Sequence, residues 1–209
     1  MRYNYDINYY NDRYQGIPLN GYGSMLDSMI SHSNINVVLN SDYGERDLNR
    51  DTSDGSLVVF TGALDELFGY KFGALPWRSL RFETEQVGEK DRQGNSTINY
   101  VDADVPYTRI HEFKHFHPED GAQMAAEYTV IQREFPDDWS VGKERYYPVN
   151  NIESQKLYDT YVLFMREKYG EKAIAGGRLG MYRYFDMDDT VKAAMNLANS
   201  ILKPDTAAV

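Results

Sequence analysis

The sequence predicts a mixed α/β protein, α+β in detail, whose α/β ends enclose an antiparallel β-sheet inserted between them. Three observations predict it. Apolar residues recur at helical spacing near both ends, as Tyr22, Met25, Leu26, Met29 and Ile30 and again as Val191, Ala194, Met195, Ala198 and Ile201. Two short apolar runs, NINVVL at 34–39 and SLVVF at 56–60, read as buried strands beside the first helical pattern. From 78 to 135 the pattern changes to long β segments with Gly, Asn and Asp in their connections.

The first ten residues are rich in tyrosine and read as an extended or edge segment leading to a turn at Gln15-Gly16-Ile17-Pro18. Asn20 is placed to cap the helix that follows. The run at 56–60 ends in Thr61-Gly62-Ala63, a tight turn at a strand's carboxyl end, where open α/β sheets hold their ligands. Residues 64–68 have room for a short helix at most. In the middle, RSLRFETEQ, STINYVD, RIHEFKHF and EYTVIQREF read as strands, and Arg81, Glu83 and Glu85 alternate with Leu80, Phe82 and Thr84, which predicts one wet face. Asn150 with Glu153 matches a capping box before a helix carrying Leu157, Tyr161, Phe164 and Met165, closed by Gly170. Pro204 lies just past the last helical pattern. Residues 1–76 and 150–209 thus form one domain and 77–149 the inserted sheet domain.

A hydrophobic content of 42% in 209 residues supports a packed core. The formal charge of −10 argues against nonspecific binding of nucleic acid or anionic membranes, so neither is an expected partner. The lack of cysteine rules out disulfides, thiolate metal sites and cysteine nucleophiles. No apolar run approaches membrane-spanning length and MRYNYDINYY lacks a signal-peptide core, so a soluble cytoplasmic protein is expected. Tyrosine is the outlier, at 18 against nine Phe and two Trp. It joins a stacking face to a hydroxyl donor, which suits sugars and diphosphates, although half-buried sheet positions account for most of them.

The stretch GGRLGMYRYFDMDD, 176–189, is the strongest site candidate. Its glycines permit positive φ and close approach of a ligand to the backbone, and Asp186, Asp188 and Asp189 open a helix. Asp186 also fits plain N-capping. Neither GxGxxG nor GxxxxGK[ST] occurs, so the turns at Thr61 and Gly176 read as part of a nucleotide-binding sheet without a complete phosphate cradle. Arg109 heads its strand, where a guanidinium could hold a diphosphate bidentately or sit on a surface sheet. Tyr146-Tyr147-Pro148 and Tyr184 offer phenols for phosphate oxygens or for packing. His111, His115 and His117 share strand parity, but ordinary sheet histidines explain them better than a metal, and no metal is expected. Glu112 and Glu134 would suit a glycosidase pair only at a separation that sequence does not set.

Tyr9-Tyr10-Asn11-Asp12, Gln15-Gly16-Ile17-Pro18, Phe60-Thr61-Gly62, Phe72-Gly73-Ala74-Leu75 with Arg78-Ser79-Leu80, Asn99-Tyr100, Val105-Pro106-Tyr107-Thr108-Arg109, Tyr146-Tyr147-Pro148 and 176–187 occur in one order and spacing. Together they resemble the bacterial UDP-galactopyranose mutase family, over nearly the whole chain but only the C-terminal half of that family. The resemblance implies part of an FAD/NAD-type nucleotide-binding sheet, and an isomerase that interconverts UDP-galactopyranose and UDP-galactofuranose for cell-surface polysaccharide. In that family reduced FAD is the cofactor, and its N5 forms a covalent adduct with the sugar without net redox.

Carried over by position, Arg109, Tyr184 and Asp186 look catalytic. Tyr9, Asn99, Arg109, Glu134, Tyr147 and Tyr184 look substrate-binding, and Thr61, Gly62, Gly177, Arg178, Asp186 and Met187 cofactor-binding. The family's dinucleotide glycines, mobile histidine loop, uridine-stacking segment, tryptophan beside the sugar and second catalytic arginine have no match here. The chain alone is therefore expected to be inactive, to hold FAD poorly, and to form homo-oligomers or associate with the missing N-terminal half. The alternatives are a non-catalytic nucleotide-sugar or flavin-binding module and an amine-oxidase-like flavoprotein.

Overall fold

The computed structural model describes residues 12–202. The chain divides into two compact units. One comprises Met1–Ser41, Thr84–Asn99 and Ile110–Gln132, and the other Asp42–Glu83, Tyr100–Arg109 and Arg133–Val209. The fold is mixed α/β, with a two-stranded parallel sheet and a five-stranded sheet.

The second unit is built on β1 (Val58–Phe60), paired in parallel with β7 (Ala173–Ala175) in the register Val58↔Ala173, Val59↔Ile174, Phe60↔Ala175. Between them in sequence come α3 (Leu64–Leu67), β6 (Tyr147–Pro148) and α5 (Ile152–Tyr169). α2 (Glu45–Ser53) precedes β1. α6 (Gly177–Gly180) and α7 (Met187–Leu202) follow β7. The core packs α3 and α5 against the parallel pair through Leu64, Leu67, Phe68, Met165, Tyr169 and Ala173, with Leu75, Trp77 and Tyr182 completing it.

Two buried polar residues pin this core. Tyr161 is fully buried, and its hydroxyl donates to the Gly73 carbonyl at 2.7 Å while accepting the Phe72 N–H at 3.1 Å. Asp65 is also fully buried and accepts the Leu75 N–H at 2.9 Å. Burial pushes its carboxyl above the usual range, opposed by the Leu75 hydrogen bond and the Arg145 charge. The folded chain therefore holds this proton more tightly than the unfolded one. The stability it contributes is complete below the ordinary value of about 3.9 and is lost as pH rises through the folded value. Asp65→Asn is expected to remove that dependence, so urea titrations across this window should show wild-type stability falling relative to the variant as pH rises. A difference that does not change with pH would contradict this.

The five-stranded sheet has the order β3 (Thr97–Asn99), β4 (Arg109–Glu112), β5 (Thr129–Asp138), β2 (Trp77–Val87), β6. β2 and β6 run antiparallel in the register Trp77↔Pro148 and Arg78↔Tyr147. β2 and β5 each carry the chain from one unit to the other.

Several sequence expectations need correction. Residues 34–39 form no strand; Ile35, Val37, Val38 and Leu39 are exposed, because an apolar run becomes a strand only where a partner takes its N–H and C=O groups. α1 (Gly21–Ile30) forms as expected after Asn20, but Asn20 makes no side-chain cap bond and the helix buries none of its stripe. On β2 the buried side chains are Trp77 and Ser79, while Phe82 is exposed, so the wet-face alternation has the opposite parity and fades beyond Leu80. The third β segment ends at Glu112 and turns into a 3₁₀ stretch, Phe113–Phe116. α4 (Gly121–Ala125) was not anticipated. The α5 box is shifted by one residue: Asn151 accepts the Ser154 N–H at 2.8 Å, and Ser154 accepts the Asn151 N–H at 3.1 Å.

Candidate functional site

The site begins with strand register. Pairing β2 with β6 sets Arg78 opposite Tyr147, and the Tyr146 N–H donates to the Arg78 carbonyl at 2.9 Å. Thr108, just before β4, donates its N–H to the Glu134 carbonyl at 2.9 Å and so brings Arg109 beside Glu134. Arg109 Nη1 lies 3.6 Å from Glu134 Oε2, with the arginine partly open at 35% and the carboxylate nearly closed off at 8%. Arg78, Arg109, Thr108, Glu134 and Tyr147 line a cavity of about 570 Å³ with Ser79, Leu80 and the 136–138 end of β5. At that end Lys143 engages the Asp137 carboxylate at 2.7 Å, and Glu134 is the buried acid in a lining that also holds the exposed Asp138.

The phenols extend this surface. Tyr147 and Tyr184 stack at 5.2 Å and 27°, and Tyr146 meets Tyr147 edge-on at 5.1 Å. Burial raises the phenol pKa of Tyr146 and Tyr147, and Glu134 adds to the rise against the opposing charges of Arg109 and Arg178. Both phenols therefore keep their protons at neutral pH and can donate to an anion. Arg178 sits with its Cζ 5.4 Å from the Tyr147 ring centre and 5.2 Å from that of Tyr184. Arginines beside proton-bearing phenols, opposed by one buried carboxylate, form a site for phosphate or carboxylate oxygens.

The glycine turns meet at the carboxyl ends of β1 and β7. The Gly176 N–H donates to the Phe60 carbonyl at 2.9 Å, and Gly177 turns the chain at φ +68 against Thr61. A Cβ at Gly177 would lie 3.2 Å from Thr61 Cβ, and one at Gly180 only 2.6 Å from the Phe60 oxygen. These glycines let α6 lie against β1, and they bring Thr61, Gly62, Gly177 and Arg178 to one end of a parallel pair, the end where such sheets bind ligands. Asp186 and Met187 follow at the start of α7, both exposed, and the Asp186 carbonyl accepts the Thr190 N–H at 3.0 Å.

Of the sequence-predicted residues, Arg109, Glu134 and Tyr147 line one cavity, with Tyr184 stacked on Tyr147. Asn99 ends β3 in the other unit. Tyr9 lies outside the described residues. Arg78 and Ser79 join the lining although sequence reasoning placed no function on them; the signal was their motif, but the β2–β6 register that aims them is invisible in sequence. The three histidines do not share a face, because the 3₁₀ turn after Glu112 breaks the strand parity. His111 bonds Thr97 at 3.0 Å, His117 bonds Glu119 at 3.0 Å, and His115 lies 3.3 Å from Asp91 and 3.7 Å from Glu112. Glu112 is fully buried and accepts the N–H groups of Arg92 and Gln93, which fixes the loop before β3. Among the described residues no helix is long and apolar enough to cross a membrane.

The family model described as UDP-galactopyranose mutase matches residues 1–184. The chain is 34% identical over 202 residues to a probable UDP-galactopyranose mutase of Klebsiella pneumoniae, covering 97% of this chain and 50% of the relative. It is 33% identical to the dTDP-fucopyranose mutase of Escherichia coli, covering 97% of this chain and 53% of the relative. It is 28% identical to the UDP-galactopyranose mutase of Mycoplasma pneumoniae, covering 90% and 48%. The chain spans about half the length of these curated relatives.

Proposed function

Because the chain belongs to the UDP-galactopyranose mutase family, we propose that it forms the substrate-facing part of an isomerase that interconverts UDP-galactopyranose and UDP-galactofuranose in the cytoplasm. The observation that carries this reading is the cavity lined by Arg78, Arg109 and Tyr147, in which Arg109 lies beside the buried Glu134. A nucleoside diphosphate sugar brings a diphosphate whose charge grows as the sugar departs, and fixed cations and hydroxyl donors stabilise that charge. In this reading Arg109 holds the diphosphate, and Glu134 keeps its guanidinium aimed. Tyr147 and Tyr184 donate to phosphate oxygens. Glu134 borders the sugar, with Asp186 close to it.

The carboxyl ends of β1 and β7 suit a flavin by placement, and the Gly177 turn holds backbone, not side chain, beside Thr61. Thr61, Gly62, Gly177, Arg178, Asp186 and Met187 would border FAD there. Reduced FAD would supply the nucleophile for the sugar's anomeric carbon without net redox. α7 buries none of its side chains, and Met187, Val191 and Met195 are exposed, which favours association with the family's N-terminal half or with a second copy.

Calorimetric titration with UDP tests the site on this chain, alone and co-expressed with a family N-terminal half. Arg109→Met is expected to weaken UDP binding at least tenfold, about 1.4 kcal/mol, and Arg109→Lys to restore only part of it. The reading is lost if neither UDP nor FAD binds the co-expressed pair. The similar identity to a dTDP-fucopyranose mutase favours a second substrate reading, in which the cavity takes a dTDP-sugar; dTDP titrated beside UDP decides between them.

A further inference from the structure

The geometry points to Arg178 as a positioning residue that clamps Tyr147 and Tyr184 into one stacked pair, its own guanidinium being engaged by the protein. Its Nη2 donates to the Tyr146 carbonyl and its Nη1 to the Phe185 carbonyl, at 3.4 Å in the second case. One acceptor belongs to the residue just before Tyr147 and the other to the residue just after Tyr184. The same guanidinium lies 5.4 and 5.2 Å from the two ring centres, within cation–π reach of both. Its Nε is buried without a hydrogen-bond partner among the described residues, so the guanidinium is held through its two terminal nitrogens. One planar group thus fixes both backbones and both rings.

The clamp joins two pieces of chain that are far apart in sequence. Tyr147 lies on a two-residue strand at the edge of the five-stranded sheet, and Tyr184 is half exposed in the stretch between α6 and α7. Arg178 is set from the third place, α6, whose approach to β1 is fixed by the glycines on either side of it. A lysine cannot reproduce this. Its single ammonium offers no planar fork for two carbonyls and no flat face for the rings. With the phenols pre-stacked, an anion meets two ordered hydroxyls and loses less to side-chain ordering on binding.

The inference rests on the proposed function only for its ligand arm. The other arm needs no ligand: ring-13C tyrosine NMR of the whole chain, with Tyr147→Leu and Tyr184→Leu assigning the two signals through the ring-current shift each imposes on the other. Arg178→Met and Arg178→Lys are both expected to collapse that mutual shift while the Trp77 indole signal stays in place. If Arg178→Met does not fold, the lysine variant carries the test alone. Preserved stacking in the variant that folds, or full rescue by lysine, overturns the clamp. In the ligand arm, each Arg178 variant should weaken UDP binding about tenfold, and should have no further effect in a Tyr147→Phe, Tyr184→Phe background. An additive loss there would make Arg178 a direct ligand contact and also overturn the clamp. Absence of UDP binding by the wild type would count against the proposed function and leave the NMR result to decide this point.

Discussion

Gly180→Ala is expected to destabilise the protein by about 3 kcal/mol, lowering its melting temperature by roughly 6–12 °C for a chain of this size. The added Cβ would sit 2.6 Å from the Phe60 carbonyl oxygen, 3.3 Å from that of Gly62 and 3.4 Å from Thr61 Cα. All three are backbone atoms, so no side chain can swing aside. Moving Phe60 would strain its pairing with Ala175 and the hydrogen bond it accepts from Gly176. Moving α6 would pull the Gly180 carbonyl from the Tyr158 hydroxyl, which donates to it at 3.1 Å. Gly23→Ala is the control: that glycine lies within α1 with open space at its Cβ, and alanine there should be neutral or slightly stabilising. A Gly180→Ala melting point within about 2 °C of wild type would show that α6 packs more loosely than described.

The second large effect lies at Tyr161. Truncation to alanine should cost about 4 kcal/mol, because a fully buried ring is removed from contacts with Phe68 and Phe72 and the surrounding helices close the gap only in part. Tyr161→Phe isolates the hydroxyl. It leaves the Phe72 N–H and Gly73 carbonyl without their partner, but both residues are exposed and water can reach them, so the cost should fall near 1 kcal/mol. Urea denaturation at constant m should separate the two variants clearly. Equal losses would mean that the hydroxyl, not the ring, dominates.

The parts of the fold legible in the sequence were those with a periodic signal and a chemical stop. α5 is one: its apolar positions recur at helical spacing, and Gly170 at φ +62 ends it. β1 is another, an apolar run cut by Thr61-Gly62 and answered by a parallel partner. α2 escaped notice because its surface is almost wholly polar and it buries only Leu48 and Thr52; its start is marked by Asp47 accepting the Gly44 N–H, not by an apolar stripe. The run at 34–39 misled in the opposite way, since apolarity says that a segment avoids water and not which partner will cover it.

The candidate site divides along the same line. Arg109, Tyr147 and Tyr184 stand in motifs that single them out, and Glu134 is picked out only by position. Their juxtaposition was not legible, because it depends on the β2–β6 register and on backbone hydrogen bonds between Thr108 and Glu134. Arg178 was legible as a residue of the glycine segment, but its two carbonyl acceptors lie on separate stretches of chain that only folding brings together.

The parallel pairing of Val58 with Ala173 also sets a schedule for the newborn chain, since the partners are about 115 positions apart. At roughly 5–20 residues per second, β1 leaves the ribosome and waits on the order of ten seconds before β7 is even synthesised. During that wait its hydrogen-bonding edge lacks the β7 partner, although Tyr43, already synthesised, packs its ring 6.3 Å from that of Phe60. Synthesis speed and holding chaperones should therefore govern the yield of this protein more than the final stability of its core.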